Sequence, residues 1–132
     1  VVYVVMGRTE RWRHRFGLIV VTQLLAALAC LVMAHTHSYV LLYACYTILG
    51  ANTYIAFFTG IFYAVADPAK KHRRAAINES LVGGGAFAGS LAAGWAAGLS
   101  SIPAVFSWMP AIILAAIGVQ LVLLKRALSA LA

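Results

Sequence analysis

The sequence predicts an all-α membrane protein of four complete transmembrane helices plus the end of a fifth, forming one transmembrane helical domain over residues 1–132. Three observations carry this. Of the 132 residues, 64% are hydrophobic and 10% charged, against about 45–50% and about 25% in soluble domains. All ten Lys and Arg residues fall in three short clusters: Arg8, Arg11, Arg13 and Arg15; Lys70, Lys71, Arg73 and Arg74; Lys125 and Arg126. The stretches between clusters are long enough to cross a bilayer and return, and they turn at His35–Ser38 and Ser100–Pro103 without a charge. Lys and Arg are retained on the cytoplasmic side. The three clusters and the C-terminus are therefore expected in the cytoplasm, both uncharged turns outside, and the chain multi-pass in the cell (inner) membrane.

Residues 1–6, Val-Val-Tyr-Val-Val-Met, read as the last turns of a span whose start is missing, without a signal-peptide pattern. The chain is accordingly read as a fragment. The run 17–34 is apolar for about 27 Å of helix, close to the hydrocarbon thickness of about 30 Å. His35, Thr36, His37 and Ser38 follow as a wet polar turn. Two His one residue apart with no third ligand nearby do not make a metal site.

The run 39–66 is uncharged and longer than one span needs, so it tilts or reaches the headgroup layer, where Tyr39 and Tyr63 suit an interface. Asp67-Pro68 ends it, because Pro disfavours helical geometry in the residue before it. Ala69–Arg74 is expected as a short basic loop. The run 75–98 is rich in Gly and Ala, and the last span covers about 104–124. Pro110 either kinks that span or occupies the first turn of a helix beginning near Met109.

A net charge of +7 would suggest nucleic acid in a soluble protein. Here the clusters are used up as cytoplasmic loops facing the lipid bilayer, with anionic inner-leaflet lipid as their partner, and no nucleic-acid surface is left. Cys30 and Cys45 lie in apolar spans and behave as small hydrophobes. The only acids, Glu10, Asp67 and Glu79, sit at the cytoplasmic edge, and no Ser/His/Asp or Cys/His set converges at one depth. Neither catalysis, nor a metal, nor a cofactor is expected.

Within the second span, Tyr43, Tyr46/Thr47, Gly50 and Tyr54 recur every three or four residues and share one helix face, with Asn52 and Thr53 beside them. Polar side chains at this depth need partners in a neighbouring helix, in water or in a ligand. Tyr46, Thr47, Gly50, Asn52 and Tyr54 are thus either interhelical contacts or the wall of a cavity for a small-molecule solute. In the third span Gly85/Gly89 and Gly94/Gly98 form two GxxxG pairs, a smooth face for close helix packing. Glu79, just past Arg73 and Arg74, is expected in a structural ion pair near the helix start. Thr22, Gln23 and Gln120 read as scattered packing contacts.

These features resemble the second half of a major facilitator superfamily transporter, from the end of the eighth helix through the twelfth. Gly7-Arg-Thr-Glu-Arg-Trp-Arg-His-Arg15 looks like the family's G-x-x-x-D-R-x-G-R-R loop in degraded form, with Glu10, Arg11 and Arg15 at its acid–Arg and basic positions. Gly85-Ala-Phe-Ala-Gly89-Ser90-Leu-Ala-Ala-Gly94 is similar to the G-x-x-x-G-P-x-x-G-G motif of family antiporters, with Ser90 in place of Pro. That motif also admits helices three to six of the N-terminal half. The resemblance implies inverted three-helix repeats, substrate at the midplane between the halves, a cavity-lining role for 39–66, and the missing N-terminal half of the same transporter as partner. The expected function is secondary active transport of a small solute by alternating access. The alternative is a non-transporting four-helix membrane scaffold or assembly subunit. A complete four-helix drug exporter fits poorly, because such proteins need a mid-span carboxylate that the first span lacks.

Overall fold

The computed structural model describes residues 16–66 and 68–129, and these form four helices: α1 (Phe16–His35), α2 (Tyr39–Val65), α3 (Lys71–Leu99) and α4 (Ile102–Ser129). Among the described residues there is no strand. In a bilayer this is the expected outcome, since a helix satisfies its own backbone hydrogen bonds where no water can. Residues 1–6, Glu10, Arg11 and Arg15 lie outside the described residues.

Three helices are long and apolar enough to cross a membrane: Gly17–His35, Tyr39–Val65 and Ile102–Arg126. α3 is longer than any of these stretches but less apolar, because its glycines carry no hydrocarbon and its first turns carry Lys, His, Arg, Asn and Glu.

The turns are tighter than the sequence suggested. Thr36 to Ser38 link α1 to α2, with the Ser38 N–H donating to Thr36 Oγ1 at 3.3 Å. The basic loop expected over 69–74 is mostly helix: α3 begins at Lys71, because Lys and Arg are good helix formers and only Pro68 enforces the break. The outer turn expected over 100–103 shrinks likewise. Ser101 opens α4, accepting a hydrogen bond on Oγ from the Ala104 N–H at 3.3 Å, and Pro103 sits in the first turn, where its missing N–H costs nothing. Pro110 is therefore inside α4 rather than at its start. Lacking an N–H, it leaves the carbonyl of Phe106 without its helical donor.

α1 packs most extensively on α4 and then on α2; α3 packs on α2 and least on α4. The core lies around α1, whose Ala26 and Ala29 are 1% and 2% exposed, with Ala27, Cys30 and Met33 also buried. Small side chains there let both neighbours approach closely. Ala29, Met33 and Cys45 form the buried cluster, and Val32, Leu42, Leu49 and Phe106 pack around it.

α3 has no buried residue. Phe87 is 68% and Trp95 72% exposed. A Cβ added at Gly85, Gly89, Gly94 or Gly98 would meet nothing within 4 Å. The two GxxxG pairs therefore do not pack against another helix of this chain among the described residues. The chain carrying Gly89→Leu should consequently unfold within about 0.5 kcal/mol of wild type, as for an open surface site. Thermal melting in detergent checks this, and a clear drop would mean that the face is occupied.

Candidate functional site

α2 carries the polar residues on two opposed faces. Cys45, Leu49, Asn52 and Thr59 follow at steps of four, three and seven residues and share a face; Cys45 and Leu49 of this row belong to the core cluster with α1, and Thr59 is buried. Tyr43, Tyr46, Thr47 and Tyr54 lie on the other side and are exposed, while Gly50 is half-buried. Asn52 and Tyr54 are thus about 200° apart around the helix. They do not line one wall: Asn52 belongs with the packed seam and Tyr54 with the open stripe.

Several hydroxyls are already satisfied locally. Thr47 Oγ1 donates to the Tyr43 carbonyl at 2.8 Å, and Thr53 Oγ1 to the Leu49 carbonyl at 3.0 Å. Thr22 Oγ1 does the same to Ile19 at 2.9 Å. In the Gly-rich motif of α3, Ser90 Oγ donates to the carbonyls of Ala86 and Phe87 at 2.9 and 3.0 Å. Back-bonded hydroxyls of this kind are quiet in an apolar environment and leave little donor capacity for a solute.

The amides are different. Gln23 Oε1 on α1, Asn52 Oδ1 on α2 and Gln120 Oε1 on α4 are buried without a hydrogen-bond partner. Gln23 lies 12 residues before the end of α1 and Asn52 lies 13 residues after the start of α2. The two helices are joined by a three-residue turn, so both amides sit at one level, about 18–20 Å below it. An unpaired buried acceptor costs about 1–3 kcal/mol, so each of these three amides is unfavourable where it stands. Gln23 and Gln120, expected as scattered contacts, belong to this set. Their signal in the sequence was their chemistry alone, a Gln in an apolar run.

Asn78 supplies a contact that the sequence did not announce. It faces Gly60, where an added Cβ would lie 2.7 Å from Asn78 Oδ1, and its Nδ2 is buried without a partner. Gly60 therefore seats the Asn78 amide and sets the approach of α3 to α2. Gly60→Leu should separate that pair and cost about 1–3 kcal/mol, read as a lower melting temperature. Adding Asn78→Ala should restore part of it; no restoration would place the cost elsewhere.

Glu79 is exposed, and the ion pair expected for it is not formed among the described residues. Its helix has four basic-type residues in the first turn and no acid. No group of three His, Cys, Asp or Glu among the described residues is placed to hold a metal.

Comparison with family models, with curated proteins and with solved structures gave no match to this chain.

Proposed function

We propose that this chain is part of a secondary active transporter of the major facilitator type, moving a small solute by alternating access, with the other half of the same transporter as its partner. The observation that supports the reading most is the open polar stripe of α2. Tyr43, Tyr46, Thr47 and Tyr54 stand exposed on a membrane-crossing helix whose opposite face is packed on α1. Tyrosine rings gain little from facing hydrocarbon, whereas the same stripe facing a solute path between two helical halves offers weak, reversible polar and ring contacts, chiefly from Tyr43 and Tyr46. On this reading α3 also crosses the membrane, bringing the spans to four, and its Gly-rich face adjoins the other half.

The proposed orientation in the inner membrane places Lys70–Arg74 and the C-terminus in the cytoplasm. In a background free of cysteine, Thr36→Cys should react with an impermeant thiol reagent added outside intact cells and Ala69→Cys should not. The opposite labelling would reverse the orientation.

The function itself is tested by counterflow. The full-length protein, reconstituted in vesicles preloaded with candidate solutes, should exchange at least one labelled solute class faster than protein-free vesicles. The scaffold alternative draws on the uncovered face of α3. It predicts no exchange of any solute and a fixed membrane partner that co-purifies in constant ratio.

A further inference from the structure

The end of the bundle where α2 stops and α3 starts carries five basic-type residues in succession, Lys70, Lys71, His72, Arg73 and Arg74, all exposed. Short turns make consecutive helices antiparallel, so α4 finishes at the same end, with Lys125 and Arg126 exposed there too. Glu79 is the only acid among the described residues. It lies eight positions past Lys71, about 12 Å along the helix. Lys71 and Arg74 are three residues apart in α3, a spacing at which like charges repel on a helix. Cations thus outnumber acids at this end of the described residues.

The ring chemistry beside it identifies the layer. Tyr63, in the last turn of α2, is exposed and packs edge-to-face on Phe62, with centroids 5.4 Å apart and planes at 76°. An exposed Tyr at the end of a membrane-crossing helix suits the headgroup layer, its ring toward the acyl chains and its hydroxyl toward water. Cations one short turn away then lie at the depth of lipid phosphates. The Lys125–Arg126 pair on α4 provides cations at the same end without an adjoining Tyr.

We propose that the α2–α3 turn is a defined docking site for the headgroup of an anionic phospholipid. Lys70, Lys71 and Arg73 take the phosphate, Tyr63 borders the glycerol region, and occupancy holds the two helices together. This is more than the diffuse attraction of a basic protein for an anionic leaflet, because it is confined to one hairpin, and it does not depend on the transport reading.

The full-length protein in phosphatidylcholine nanodiscs containing a minor share of phosphatidylglycerol is the test, read by the number of phosphatidylglycerol molecules retained on gentle release and by the melting temperature. Each cation removed from the site should weaken retention about fivefold, the effect of one basic residue at a charged surface. The triple variant Lys70→Gln, Lys71→Gln, Arg73→Gln should therefore lose retention by about a hundredfold. It should also melt at the wild-type temperature in phosphatidylcholine alone. Lys125→Gln with Arg126→Gln should retain the lipid nearly as wild type does. Equal loss per charge in the two variants would mean diffuse attraction and overturn the site, as would wild-type retention in the triple variant. Stabilisation of the phosphatidylcholine sample by inorganic phosphate to the same extent would assign the cluster to a soluble anion instead and also overturn it. Should the triple variant fail to fold, Lys70→Gln and Lys71→Gln singly carry the same fivefold expectation, and no change in either overturns the proposal.

Discussion

Ala29→Leu should be among the most destabilising single substitutions in this chain. Ala29 is 2% exposed and lies in the cluster with Met33 and Cys45, with Leu42, Leu49 and Phe106 around it. Three extra carbon atoms there must push α1 away from α2 or α4, and overpacking of this kind costs about 1–3 kcal/mol. Leu28→Ala, one position earlier and largely exposed, removes comparable bulk from a face that touches lipid and should change little. Unfolding in a detergent titration measures both. Equal stability for wild type and Ala29→Leu would show that α1 is not the central helix.

Asn52 and Tyr54 should separate cleanly when each is replaced. On the proposed transport function, Tyr54→Phe removes a hydroxyl from the exposed stripe, and apparent solute affinity should fall by roughly 0.5–1.5 kcal/mol, one lost hydrogen bond, in the protein that remains folded. Asn52→Leu replaces an unpaired buried acceptor in a packed seam with hydrocarbon. Stability should hold or rise, by up to the about 1–3 kcal/mol an orphaned polar group costs, with affinity unchanged. Binding assays and melting curves on both variants give four readings. A loss of affinity in Asn52→Leu without a loss in Tyr54→Phe would move the solute path to the other face of α2.

Much of the fold was legible because charge and proline punctuate it. Asp67-Pro68 ends the second helix where expected, and the uncharged turns at 36–38 and 100–101 bound the others. The inward face of α1 was not legible. Leu24, Leu25 and Leu28 face outward while Ala26, Ala27 and Ala29 face inward, and in a lipid environment both faces are apolar, so hydropathy has no period to reveal. The GxxxG pairs of α3 were not decisive for the converse reason: a motif that permits close packing does not say with what, and among the described residues no helix takes the place. The split between Asn52 and Tyr54 was available in their two-residue spacing, which on a helix means opposite sides. The pairing of Gly60 with Asn78 was not, since it depends on how α2 and α3 are offset along each other.

The low apolar content of α3 also bears on how the chain is made. On the proposed four-span topology, α1, α2 and α4 each carry enough hydrocarbon to partition into a bilayer as they emerge from the ribosome. α3 emerges with glycine where its neighbours carry leucine, and with Asn78 and Glu79 near its start. Its entry is favourable mainly as part of a pair, leaning on α2 through the Gly60–Asn78 contact or waiting for α4, only two residues behind, to draw the hairpin in. On that topology, insertion of α3 depends on its neighbours. Truncation just after residue 99 should expose it as a helix that protease reaches from the ribosome side.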